Sequence, residues 1–263
     1  MQGHWQTIEV EDIDDTIRVV RLARPEVANA INTQTGYDLL DVFSSLARDA
    51  GRVRCVILTA AGGRHFCAGG DLKERNGMSD ADYLAQHEVY ERMIRAVIDC
   101  PLPVIAAVNG VAYAGGCELV LGCDFAYAVP HAKFALTETS LGIMPGCGGT
   151  QNLPRAIGAR RAKELILSAT PFTAQEALAW GVINRIVDGP VLEEALATAR
   201  RIAANGPLAV YQAKRAIDYG MQMDLRSAMA FEVDAYNRLA TSEDRKEGIT
   251  AFNEKRAPRF RGH

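Results

Sequence analysis

Apolar and polar positions along the chain fall into two regimes. Short apolar runs punctuated by glycine and proline occupy the first 158 residues, and helical periodicity dominates from Ala159 onward. Residues 7–10 and 16–22 alternate or run apolar around the acidic stretch 11–15, which predicts a hairpin ended by Pro25. Asn32 or Thr33 is placed to cap a helix with Leu39, Leu40, Val42, Phe43 and Leu46 on one side, closing near Gly51. A buried strand is predicted over 53–59, a glycine-rich loop over 60–70, a second helix opened by Ser79 and reaching about Cys100, and a third strand over 103–108. That last strand leads through Asn109-Gly110 and Gly115-Gly116 into an apolar helix. The pattern therefore places a strand-turn-helix junction at the centre of the chain. Short strands follow over 125–129 and 133–136, and one more, over 182–187, interrupts the helical part. Residues 190–257 read as three or four amphipathic helices, with breaks at Gly206-Pro207 and Thr241-Ser242. The expected organisation is an α/β core over 1–190 and a helical region over 191–263.

Composition leaves this picture intact and narrows the class. With 263 residues, 48% hydrophobic and 23% charged, the chain has the make-up of a globular protein. A net charge of −3 argues against a general polyanion binder, and no apolar run reaches the length of a membrane span. The first seven residues lack the blocks of a secretory signal or a transit peptide, so a cytoplasmic location is expected. Cys55, Cys67, Cys100, Cys117, Cys123 and Cys147 form no Cys-x-x-Cys pair and sit in apolar surroundings, which predicts buried thiols rather than disulfides. The five histidines show no metal-ligand spacing, and no metal site is expected.

Candidate chemistry gathers at the central junction. Glycine lets the chain turn tightly and lets a ligand approach the backbone, while the first N–H groups of the new helix have no intrahelical partner. Glu118 follows within the first turn of an otherwise apolar segment, and a second isolated acid stands at Glu138. Taken singly, Glu118 is a helix-start acid complementing the dipole and Glu138 a solvated loop acid. Taken with the backbone donors, they point to acid/base chemistry on a carbonyl compound. Without a nearby histidine, Cys117 and Cys147 read as buried neighbours rather than nucleophiles, and Asp124 as structural.

Residues 66–74, Phe-Cys-Ala-Gly-Gly-Asp-Leu-Lys-Glu, resemble the crotonase superfamily and, within it, the enoyl-CoA hydratases. So do Gly115-Gly116-Cys117-Glu118, Thr137-Glu138-Thr139 and residues 145–151. The resemblance spans nearly the whole chain. It implies a spiral of repeated ββα units with a C-terminal helical region that packs against neighbours in a homotrimer or homohexamer. It implies an oxyanion hole from the N–H groups of Gly70 and Gly115, with Glu118 holding and activating water and Glu138 serving the α-carbon proton. By the same resemblance Ala68, Gly70, Asp71, Leu72, Lys73, Ala114, Gly115, Pro145 and Gly146 contact the acyl-CoA. Phe252 and Lys255 would reach the CoA of a neighbouring subunit. CoA enters with the substrate, and no resident cofactor is implied.

The activity so implied is reversible hydration of a 2-enoyl-CoA, a step of fatty-acid and lipid metabolism. The rival within the family is a Δ3,Δ2-enoyl-CoA isomerase, which keeps the acid matching Glu138 but need not keep that matching Glu118. Residues 138–146, 151–155 and 254–256 look most like the methylglutaconyl-CoA hydratases of leucine breakdown, from which the chain departs at Cys117 and Asn152. Some of those hydratases bind RNA through lysines on their first helix. The matching stretch here carries Asp38, Asp41 and Asp49 but no lysine, so no nucleic-acid partner is expected.

Overall fold

The computed structural model describes residues 5–263. The expectation drawn from the first seven residues falls in part on residues 1–4, outside the described residues. Strands β1 (Ile8–Ile13) and β2 (Ile17–Leu22) form the expected antiparallel hairpin. The turn is shorter than the acidic stretch implied: Asp14 and Asp15 alone take left-handed φ of 52° and 57°, while Glu11 and Asp12 continue the ladder. Helix α1 (Thr33–Arg48) starts at Asn32, whose side chain accepts the N–H of Thr35. It packs against α3 (Asp80–Ile98), which Ser79 caps in the same way; α2 (Leu72–Arg75) is the single turn between them.

Two sheets organise the rest. In the larger, β2, β3 (Cys55–Ala60), β5 (Val104–Val108), β7 (Phe125–Ala128) and β10 (Arg185–Ile186) run parallel in that order, with β1 antiparallel at the edge. In the smaller, β4 (His65–Cys67), β6 (Val111–Tyr113) and β8 (Lys133–Ala135) are parallel and β9 (Phe172–Thr173) closes antiparallel. Three successive turns, β3–β4, β5–β6 and β7–β8, each lay one strand on each sheet before a helix returns the chain, the spiral of ββα units the resemblance implied. Every residue of β3 and β5 is buried, as in a parallel sheet covered on both faces.

Strands β4 and β6, each second in its unit, escaped the sequence pattern, whereas β8 falls within the strand expected over 133–136. Residues 60–70 are not a plain loop, and the central junction is not one strand feeding a helix, because β4 and β6 intervene. Three residues are too few to show a period, and only pairing across the spiral stabilises them. Gly110 makes that pairing possible: a Cβ there would strike the carbonyl oxygen of Arg64.

Helices α5 (Gly149–Ile157), α6 (Ala159–Ser168) and α7 (Ala174–Trp180) follow the smaller sheet. Four helices end the chain: α8 (Val191–Ala203), α9 (Pro207–Gly220), α10 (Leu225–Asn237) and α11 (Glu243–Asn253). Although α8 lies beyond residue 190, it packs on β2, β3, β5 and β7 and belongs to the core. The outlying helices are α9, α10 and α11. Their apolar residues Met229, Val233, Tyr236, Ile249 and Phe252 remain exposed.

Candidate active site

The site is assembled where two turns of the spiral meet. Ile31 forms a parallel bridge with Gly70: its N–H donates to the Gly69 carbonyl at 2.8 Å and its carbonyl accepts the Asp71 N–H at 2.8 Å. A parallel bridge uses the residues on either side of Gly70, so Gly70's own N–H faces the opposite way, towards the second turn. There, the Ala114 N–H donates to Ala135 at 2.8 Å, and Ala114 takes φ 48° and ψ −125°, a conformation that costs a non-glycine residue about 1–3 kcal/mol. This twist makes Gly115 the first residue of α4 (Gly115–Gly122), with its N–H at the positive end of the helix.

The two turns press together closely. A Cβ on Gly69, where φ is +97°, would lie 2.6 Å from Ala114 Cβ and 3.3 Å from Gly115 N. A Cβ on Gly115 would lie 4.0 Å from Gly70 N. Neither the Gly70 nor the Gly115 N–H finds a main-chain acceptor among the described residues. Two free donors a few ångströms apart, one backed by a helix dipole, can hold an oxygen gaining negative charge.

Two carboxyl groups face the same space. Glu118 is only 2% exposed, and its Oε1 accepts the N–H of Cys147 at 2.7 Å and of Gly149 at 2.8 Å. Burial raises its pKa, and those two N–H donors oppose the rise by favouring the carboxylate. Glu138 opens a single 3₁₀ turn (Glu138–Leu141), is 7% exposed, and its buried Oε2 has no hydrogen-bond partner among the described residues. Burial first, and then the charge of Glu118, push its pKa up to about 7. Neither acid is the solvated or dipole-complementing residue that each would be alone. Two N–H donors favour the charged form of Glu118 and none reaches the buried Oε2 of Glu138, a difference by which two neighbouring acids can take different proton-transfer roles.

Between these groups lies a cavity of about 380 Å³. Of the residues expected to contact substrate, Ala68, Gly70, Leu72, Ala114, Gly115 and Gly146 line it, together with Glu118 and Glu138. Asp71 and Lys73 do not. The Asp71 carboxylate caps α2 through the N–H groups of Lys73 and Glu74 and pairs with Arg24 at 3.0 Å, which gives it a structural job beside the site. Lys73 is exposed, and Pro145 stands behind Gly149 rather than in the wall. Phe252, 83% exposed, and Lys255 lie away from this cavity on the outlying helical region.

The sequence reading missed Cys147 and Gly149 as the donors that fix Glu118, and Arg75, Tyr83, His87, Tyr90 and Met93 as cavity wall. Only the Gly148-Gly149 pair beside Cys147 advertised a close backbone approach; the wall residues lie on α2 and α3 with nothing local to mark them. All six cysteines are buried and unpaired in disulfides, and burial lifts the Cys67 thiol to about 12, a poor nucleophile. Two roomier clefts, of about 540 Å³ and 780 Å³, lie beside α9 and the C-terminal tail, and neither contains Glu118 or Glu138.

The chain is 39% identical over 241 residues to the short-chain-enoyl-CoA hydratase of Clostridium acetobutylicum, covering 91% of this chain and 92% of the relative. It is 39% identical over 258 residues to the mitochondrial methylglutaconyl-CoA hydratase of Mus musculus, covering 96% and 82%. The crystal structure of an enoyl-CoA hydratase from Bacillus anthracis superposes with a TM-score of 0.94 at 42% identity, over 98% of this chain and 100% of that one. Residues 12–263 match the family described as Enoyl-CoA hydratase/isomerase, and the chain belongs to that family.

Proposed function

We propose that the protein is a hydro-lyase that adds water across the α,β double bond of a 2-enoyl-CoA, and removes it in reverse. The observation that carries this is the convergence of Glu118, Glu138 and the free N–H groups of Gly70 and Gly115 on one cavity. In this reaction the thioester oxygen lies against the two N–H groups. Glu118, held by Cys147 and Gly149, takes a proton from the water whose oxygen bonds to the β-carbon. The double-bond electrons move to the thioester oxygen as an enolate, and Glu138 gives its proton to the α-carbon. One positioned donor to such an oxygen is worth about 2.7–4 kcal/mol. A double-bond shift would need one acid; the fixed placement of Glu118 favours hydration. CoA arrives with the substrate, so the scheme requires no resident cofactor.

The motif likeness and the name of the mouse relative favour a methylglutaconyl chain, while the clostridial relative's name favours a short one. Turnover across crotonyl-, longer enoyl- and methylglutaconyl-CoA, followed by loss of the conjugated thioester absorbance, tests both the activity and the chain. Hydration of none of them would overturn the reading.

The exposed apolar residues on α10 and α11 support assembly into a homotrimer or homohexamer, in which Phe252 and Lys255 would serve a neighbour's CoA. No described helix is long and apolar enough to cross a membrane. On α1, Asp38 and Asp41 accept bonds from Thr7 and Trp5 and no lysine is present, which supports the absence of RNA binding.

A further inference from the structure

One wall of the cavity holds a cation that the hydration chemistry does not use. Arg75, the last residue of α2, lines the cavity and is half-buried, and it forms no ion pair with any carboxylate among the described residues. Its Nε donates to Gln86 Oε1 at 2.8 Å and its Nη1 reaches Tyr83 OH at 3.3 Å, while Nη2 donates to nothing among the described residues. The guanidinium stands over the rings of Tyr83 at 4.8 Å and Tyr90 at 5.3 Å. Gln86 is itself fixed, donating to Thr33 Oγ1 and Glu74 Oε2, so the fork has a defined orientation. It is also close to the reacting region, since a Cβ on Gly70 would lie 3.2 Å from Arg75 Cζ.

A wall meant for a plain hydrocarbon chain would not carry this. A guanidinium taken partly out of water without a counter-ion is costly, and aromatic faces return only part of that cost. The N–H groups left on a rigid, planar fork, two on Nη2 and one on Nη1, match a carboxylate better than any apolar group. The cation is felt at Glu138, where it opposes in small part the rise in pKa that burial and Glu118 cause, yet the two do not hydrogen bond. The position for a partner to Arg75 is therefore open towards the cavity.

We infer that Arg75 is a specificity residue that pairs with a carboxylate on the acyl chain of the substrate, so that the site takes enoyl-CoA esters of dicarboxylic acids in preference to simple enoyl chains. The inference rests on the hydratase reading and names the substrate class of that same site. The anion supplied by the substrate completes the ion pair that the protein leaves unfinished, and its binding orients the double bond between Glu118 and Glu138.

The test compares chains of equal length. Wild-type enzyme is assayed with glutaconyl-CoA and with 2-pentenoyl-CoA, and Arg75→Met and Arg75→Lys with both. The wild type should show the higher kcat/KM on the carboxylated ester. Arg75→Met should lower kcat/KM for glutaconyl-CoA at least about 30-fold more than for 2-pentenoyl-CoA, the loss expected when a partly buried charge pair loses one member. Arg75→Lys should restore part of the preference. Inhibition of the unmodified enzyme by glutaryl-CoA against valeryl-CoA gives a reading that needs no variant, with glutaryl-CoA expected to bind more tightly. Equal losses on both substrates, or tighter binding of valeryl-CoA, would show that Arg75 only braces Gln86 and Tyr83 and would overturn the inference. Failure of the wild type to hydrate either ester is a different result, and it removes the hydratase reading itself.

Discussion

The N–H of Gly149 donates to Glu118 Oε1 at 2.8 Å, so a backbone group 31 residues further along the chain holds the carboxylate proposed to activate water. A side chain at that position forces its neighbours to move: a Cβ on Gly149 would lie 2.9 Å from the same oxygen and 2.9 Å from Leu136 Cδ1. Gly149→Ala should therefore push Glu118 off its donors and cut kcat for hydration by about 10²-fold, while the fold survives because only α5's first residue is touched. Steady-state hydration beside circular dichroism measures this, and an alanine variant turning over at the wild-type rate would show that the contact does not position Glu118.

Gly69→Ala probes the oxyanion site by the same logic. The new methyl group would meet Ala114 Cβ at 2.6 Å and would have to adopt φ near +97°. The turns that aim the Gly70 and Gly115 N–H groups should part, and kcat should fall about 10²–10³-fold, as when one oxyanion donor is lost. Thermal unfolding should also shift downward, by about 1–3 kcal/mol. Binding of a saturated acyl-CoA should weaken far less than kcat falls; equal losses would mean that the turns serve ground-state binding alone.

Much of this site could be seen in the sequence, and what could not has a physical reason. Glu118, Glu138 and the paired glycines stand out because an isolated acid in an apolar run and a double glycine are both locally unusual. Strands β4 and β6 do not stand out, since their hydrogen bonds come from other turns of the spiral. The family resemblance carried Asp71 over as a substrate contact with the rest of residues 70–73, yet its carboxylate is turned back onto α2 and Arg24, the capped helix start that the residues themselves suggest. The helix period gives Arg75, Tyr83 and Tyr90 no shared local signature, and only the packing of α2 against α3 brings them to one wall. Helix α8 carries the pattern of its outlying neighbours, and its membership of the core depends on the sheet beneath it.

Asp71→Ala follows from that correction. It removes the cap of α2 and leaves Arg24, with 20% of its side chain exposed, without its partner at 3.0 Å. Stability should drop by about 1–3 kcal/mol, the sum of a lost cap and a broken, partly buried ion pair. Denaturant unfolding reads this directly, and a much larger effect on KM for the acyl-CoA than on stability would return Asp71 to the list of substrate contacts.

The pKa of Glu138 sets the pH dependence. Hydration starts with Glu138 protonated and Glu118 ionised, and dehydration starts with the proton on the other partner, so both directions need the same net charge on the pair. In the free enzyme kcat/KM should fall above about pH 7 in both directions, with parallel profiles. Stability carries the same signature. The folded-state pKa of about 7 lies above the ordinary 4.5, so the contribution of Glu138 is fully present below about pH 4.5 and is lost as pH rises to 7. The cost above pH 7 is at most about 3 kcal/mol, and Glu138→Gln should remove this slope from the pH–stability curve. A wild-type slope unchanged in the variant would assign it to another group.

The two carboxylates can be separated by what survives their removal. If Glu138 handles the α-carbon proton and Glu118 the water, Glu118→Gln should lose hydration by about 10²–10⁴-fold yet keep part of the enolate half-reaction. The N–H groups of Gly70 and Gly115 remain in place, and Glu138 still faces the cavity with an unpartnered Oε2. Glu138→Gln should lose both. The measurement is exchange of the α-proton of a saturated acyl-CoA in heavy water, followed by mass spectrometry, beside hydration of the matching enoyl-CoA. Each change removes a charge and little volume, and for Glu118 the amide oxygen can still accept from Cys147 and Gly149, so circular dichroism should show both variants folded. Loss of Glu118's charge should also relieve the repulsion that raises the pKa of Glu138, moving any pH limb of the residual exchange downward. Normal exchange in the Glu138 variant with none in the Glu118 variant would reverse the assignment, and wild-type hydration in both would remove the two acids from the reaction.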